Sequence, residues 1–66
     1  MNLRLNGEPA EFVDGTDLAS VVAVLSCAGR GVAVAVNGEV VPRSLWSTTT
    51  LRAGDAVEVL TAAQGG

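Results

Sequence analysis

Few residues in this chain could do chemistry, and their types decide which chemistry is open. Cys27 is the single thiol and the chain has no His, so neither a nucleophile and base pair nor a Cys/His metal set can be assembled. A structural zinc site is ruled out. The seven carboxylates (Glu8, Glu11, Asp14, Asp17, Glu39, Asp55 and Glu58) are scattered over turn and outward strand positions. There a solvated surface is the plainer reading than general acid and base work. Gly29-Arg30-Gly31 lacks the Lys-Ser/Thr and the further Gly of a phosphate loop, and reads as a helix cap. Cys27 reads as a small apolar helix residue, and Trp46, the only indole, as a seal on the edge of the core.

What remains is the end of the chain, Ala62-Ala63-Gln64-Gly65-Gly66. One reading is a frayed end of small residues. The other starts from geometry: glycines carry no Cβ, so Gly65 and Gly66 can enter a channel too narrow for any side chain, with Gln64 behind them, and present a bare carboxylate. Extended, the five residues after Thr61 reach about 17 Å, enough to enter a partner's nucleotide pocket while the folded part stays outside. A carboxylate is a poor electrophile at neutral pH, so acyl chemistry at Gly66 needs activation, most simply adenylation with ATP by a partner enzyme. On that reading the chain is a substrate, and the nucleotide site lies on the partner.

Composition narrows the classes further. At 66 residues the chain is one small domain, with little interior to enclose a substrate cavity as well as a core. It is 48% hydrophobic and 17% charged, the balance of a folded chain. Eleven Val, ten Ala and seven Leu against one Phe, one Trp and no Tyr predict a thin aliphatic core. The net charge is -3 with a pI near 4.4, and no basic cluster is present, so the footprint of a nucleic-acid binder is missing and a basic protein partner suits it better. There is no Lys to serve as the chain's own acceptor in isopeptide chemistry. The N-terminus lacks a signal-peptide pattern, and the longest mostly apolar run, Leu18 to Ala28, is too short to span a bilayer. The expectation is a cytoplasmic protein with no membrane association.

The elements that must position the tail can be read in order. Strands are predicted at about 2 to 6 and 9 to 13, joined by Asn6-Gly7, whose residues tolerate the positive φ of a type I′ turn. Thr16 stands where an N-cap belongs, with Asp17 at the positive end of the helix dipole. Leu18, Val21, Val22 and Leu25 then make one apolar stripe on a helix of about 17 to 28, capped by Gly29. Gly31 to Val36 reads as the central strand, with Val against the helix and Ala on the other side. A second Asn-Gly turn at Asn37-Gly38 leads to a short strand, Glu39 to Val41, ended by Pro42. Ser44 is a candidate cap for a single turn carrying Leu45 and Trp46, Thr48 to Leu51 reads as extended, and Ala56 to Thr61 as the last strand after an Ala53-Gly54-Asp55 turn. This order excludes a doubly wound sheet. It predicts an α+β fold, a β-grasp or ubiquitin-like roll in which a mixed sheet packs on one helix and the first and last strands run parallel at its centre. Residues 1 to 61 form that domain, and 62 to 66 a flexible tail with no anchoring side chain.

The stretch Ala33-Val34-Ala35-Val36-Asn37-Gly38-Glu39-Val40-Val41-Pro42-Arg43-Ser44-Leu45-Trp46, then Gly54-Asp55 before a Val-rich strand and a terminal Gly65-Gly66, resembles the thiamine-biosynthesis sulfur-carrier family, ThiS, over essentially the whole chain. The ending differs from the longer glycine run of some relatives, but it keeps the pair of glycines. The resemblance implies a carrier whose terminal carboxylate, here on Gly66, is adenylated by an E1-like, ThiF-type enzyme. Sulfur from cysteine, through a desulfurase or rhodanese-type relay, then replaces AMP to give a thiocarboxylate, which donates its sulfur to thiazole synthase of the ThiG type. It implies no metal or prosthetic group in the carrier itself; ATP is used by the activating partner. Leu60, on the last strand near the tail, is a candidate docking residue, with burial in the core as the alternative. Two other classes share the fold and tail: the molybdopterin-synthase small subunit, and a ubiquitin-like modifier that ends as an isopeptide on target proteins.

Overall fold

The computed structural model describes residues 1–25 and 32–61. Its elements follow in the order β1 (Asn2–Leu5), β2 (Glu8–Glu11), α1 (Leu18–Leu25), β3 (Val32–Val36), β4 (Glu39–Val40), a 3-10 helix (Arg43–Thr48) and β5 (Ala56–Thr61). Both Asn-Gly pairs make the expected hairpin turns. Asn6 and Gly7 have φ of 52° and 86°, and Asn37 and Gly38 have 52° and 87°, the left-handed values that these two residue types accept with least strain.

The five strands form one mixed sheet in the order β2-β1-β5-β3-β4. β1 and β5 are parallel neighbours, while the β1–β2, β3–β5 and β3–β4 pairs are antiparallel. With α1 between the two hairpins, this is the β-grasp, ubiquitin-like arrangement. β3, read from sequence as the central strand, stands one place from the middle. β5 occupies the middle because both the first strand and β3 pair with it. The two edges are blunted by Pro9 in β2 and by the two-residue length of β4.

One face of the sheet and one side of α1 enclose the core: Leu3, Leu5, Val34, Val57 and Val59 from the strands, Leu18, Val21 and Val22 from α1, and Trp46 and Leu51 from the segment between β4 and β5. The helix stripe is shorter than the sequence predicts. Leu18 and Val21 are fully buried, but Leu25, the last described helical residue and one turn past Val21 and Val22, is 41% exposed. The rest of the expected helix, the Gly29 cap, Gly31 and Cys27 lie outside the described residues.

The helix start also corrects the sequence reading. Asp17, not Thr16, is the N-cap: its Oδ1 accepts from the Ser20 N–H at 2.8 Å, while the Thr16 hydroxyl donates backward to the Val13 carbonyl at 2.6 Å. A carboxylate reaches the orphan amide at the third helical position as well as a hydroxyl does, and it adds a favourable charge at that end. Hydrogen bonds from the Ser20 hydroxyl and backbone hold the Asp17 carboxyl below its ordinary value of 3.8. A depressed folded value means the cap's contribution is complete above 3.8 and is lost as pH falls through the lower folded value. Asp17→Asn, which caps without titrating, should therefore flatten part of the acid limb of stability. Unfolding midpoints measured from neutral pH downward check this, and an acid limb as steep as the parent's would contradict it.

Between β4 and β5 the chain braces the core's open side. Ser44 lies inside the 3-10 helix instead of capping it; Pro42 is the capping position and makes no side-chain cap bond, its fixed φ of -62° suiting the entry. Trp46 is buried, with its Nε1–H donating to the Val41 carbonyl at 2.9 Å and the Arg43 guanidinium 5.9 Å from the ring centroid, so it seals the core as expected. Thr48 still belongs to the 3-10 helix, and the extended stretch is confined to the residues after it. Leu18 N–H donates to the Thr49 carbonyl and Leu51 N–H to the Thr16 carbonyl, which ties the helix start to this segment.

Candidate functional site

The strand that leads to the end of the chain is the most enclosed in the sheet. β5 pairs with β3 over five positions, Val36↔Val57 to Val32↔Thr61, and with β1 at Arg4↔Ala56 and Leu5↔Val57. Alternation gives it two different faces. Val57 and Val59 point into the core, and Glu58 and Leu60 point outward. The strand is thus anchored by buried valines up to Val59, in the middle of the sheet.

Leu60 is 67% exposed, which removes the core alternative for it. Directly opposite stands Ala33, also exposed, and in the next row Glu58, Ala35 and Val40 lie side by side across β5, β3 and β4. Val40 is 75% exposed. The small Ala33 and Ala35 of β3 separate Leu60 on β5 from Val40 on β4, and the exposed Glu58 lies on β5 two residues before Leu60. Leu60 and Val40 are thus exposed apolar side chains on one outer face of the sheet, Leu60 one residue before the end of β5. Gln64, Gly65 and Gly66 lie outside the described residues.

The polar groups elsewhere serve the fold. Glu8, Glu11, Asp14, Glu39 and Glu58 are exposed, and no group of three His, Cys, Asp or Glu among the described residues could hold a metal ion. Asp55 braces the turn before β5: its Oδ1 accepts from Asn37 Nδ2–H at 3.0 Å and its Oδ2 from the Arg52 N–H at 2.9 Å. Asn37 also accepts, through Oδ1, from the Ala56 N–H at 3.0 Å, and Asn6 Oδ1 accepts from the Val59 N–H at 2.8 Å. Sequence reasoning gave these two Asn residues only a turn-forming role. Their side chains hold β5 at two points along its length, a function that an Asn-Gly signal does not announce because the partner lies 19 or 53 residues away. No helix among the described residues is long and apolar enough to cross a membrane.

Comparison with known proteins agrees with this architecture over the whole chain. The family model described as the ThiS family matches residues 3–66. A crystal structure of the thiamine biosynthesis protein ThiS from Geobacter metallireducens superposes with a TM-score of 0.82 at 36% identity, covering 100% of both chains. An NMR solution structure of a thiamine biosynthesis protein from Geobacter metallireducens gives 0.81 at 36% identity, covering 100% of this chain and 88% of that one. No curated protein matches. A family match that takes in the β-grasp core, the exposed Leu60 strand and the terminal Gly65-Gly66 shows that the chain belongs to the ThiS family.

Proposed function

We propose that the chain is a sulfur carrier of thiamine biosynthesis whose reacting atom is the carboxyl carbon of Gly66. The observation that carries the reading is the family match running through the terminal Gly65-Gly66, on a fold whose last strand is fixed and flanked by an exposed apolar face. The supporting chemistry is simple. A Gly66 carboxylate oxygen attacks the α-phosphorus of ATP on a ThiF-type adenylyltransferase, and pyrophosphate leaves. A relay cysteine persulfide, loaded from cysteine by a desulfurase or rhodanese-type protein, adds through its outer sulfur to the acyl carbon and expels AMP. A second thiol then cleaves the resulting acyl disulfide, leaving as a disulfide with the relay cysteine, and frees the thiocarboxylate that passes its sulfur to thiazole synthase. The tether lets one sulfur move between enzymes without being released as free sulfide.

The carrier supplies no catalytic group and binds no cofactor of its own; it acts in the cytoplasm as a substrate whose fold presents its end. Gly65 and Gln64 thread the partner's channel, and the Leu60 face docks against the partner. Net acidity and Glu58 on that face favour a basic rim on the enzyme. The test is ATP–pyrophosphate exchange by a ThiF-type enzyme, which should depend on this chain and stop when Gly65 and Gly66 are removed. Exchange that is indifferent to the truncation would contradict the reading. Leu60→Ala should keep the unfolding midpoint, because the side chain is exposed, while raising KM in this exchange by roughly five- to thirtyfold, the effect of truncating an interface anchor. A normal KM would remove Leu60 from the interface.

A further inference from the structure

We propose that Asn6 is a positioning residue for the tail: its side chain extends the β1–β5 ladder by one link and so sets where the last strand stops being held on that side. The inference rests on the carrier reading of Gly66 and concerns how its tether is rooted.

In a parallel ladder a residue donates its N–H to one residue of the neighbouring strand and accepts, through its own carbonyl, from the residue two further on. Asn6 makes the first of these bonds with its backbone, donating to the Val57 carbonyl at 2.9 Å. Its φ of 52° then turns the chain into the Asn6-Gly7 hairpin and away from β5. The second bond is made all the same, by the side chain: Oδ1 accepts from the Val59 N–H at 2.8 Å. The side-chain amide stands in for the backbone carbonyl that the turn has taken away. β1 itself reaches only as far as the Leu5↔Val57 pair, so this one oxygen carries the hold on β5 from Val57 to Val59, next to the docking residue Leu60.

The same position must satisfy two demands. It must tolerate a left-handed backbone, and it must offer an acceptor at the reach of a two-carbon side chain. Gly meets the first alone; Asn and Asp meet both. Without the link, β5 keeps its antiparallel pairing with β3 but loses its far-side restraint at Val59, so the strand end samples more orientations. Fewer molecules then present Leu60 and the tail together in the docking geometry, and apparent affinity falls by that fraction while the chemistry, once docked, is unchanged.

The test compares Asn6→Gly, Asn6→Asp and Val22→Ala with the parent chain in ATP–pyrophosphate exchange by a ThiF-type enzyme, below the unfolding temperature of each. Val22 is a buried core residue away from the root and controls for lost stability. Asn6→Gly should raise KM roughly three- to tenfold with kcat within about twofold, and should speed amide exchange at Val59 while Leu18, buried and bonded to the Thr49 carbonyl, stays protected. Asn6→Asp should restore most of the KM, and Val22→Ala should leave it unchanged. A parental KM for Asn6→Gly, no rescue by Asn6→Asp, or an equal rise in Val22→Ala overturns the proposal alone. A parent chain that the enzyme does not activate overturns the carrier reading, and this inference with it.

Discussion

Adding one residue after Gly66 should reduce adenylation by at least about a hundredfold. The extra residue moves the reacting carbon by about 3.8 Å, one Cα step, whereas reaction demands a placement good to a fraction of that distance. The folded part cannot retreat to compensate. β5 is held by β3 through Val32↔Thr61 and by the core through Val57 and Val59, so the distance from the docking face to the reacting carbon is a property of the chain. Gly65→Val should impair activation for a different reason, since a branched Cβ enters a channel shaped for none. Single-turnover release of pyrophosphate with saturating enzyme separates these from weaker docking, and normal turnover by the extended chain would contradict a fixed-length tether.

Leu18→Ala should cost about 2 to 5 kcal/mol of stability. For a chain of this size the total is of order 3 to 10 kcal/mol, so much of the protein would be unfolded at moderate temperature. Leu18 is fully buried at the first helical position, where the helix meets the 3-10 helix side of the core, and its own N–H is tied to the Thr49 carbonyl. The sequence pattern gave Leu18 and Leu25 the same standing on one stripe. The structure separates them, and Leu25→Ala should cost roughly half as much or less, because 41% of that side chain already meets water. Denaturant unfolding of the two variants checks the ranking, and equal losses would contradict it.

The contrast shows what a pattern of residues can and cannot carry. Periodicity locates an apolar stripe, but not where the surface opposing it ends, which depends on strand lengths and on the sheet order β2-β1-β5-β3-β4. Local chemistry was legible: both Asn-Gly turns, the bounds of β5 at Ala56–Thr61 and the sealing role of Trp46 follow from residue types a few positions apart. The choice between Thr16 and Asp17 as cap was not, because both can accept and only the path of the chain decides which oxygen faces Ser20. The outward aim of Leu60 follows from the strand register. Val57 and Val59 on the core face oblige Leu60 to face out, although its apolar character alone left burial open. Least visible were the side chains of Asn6 and Asn37, whose partners are distant in sequence.

The measurement that tests the account most directly is the intact mass of the chain after incubation with a ThiF-type enzyme, ATP, cysteine and a sulfur relay, followed by fragmentation to place the change. With a thiol reductant included to cleave the acyl disulfide, the account predicts a gain equal to one sulfur replacing one oxygen, located on Gly66, and the same gain in a Cys27→Ser chain. An unchanged carboxylate at Gly66 after full reconstitution, or sulfur placed on Cys27, would contradict it.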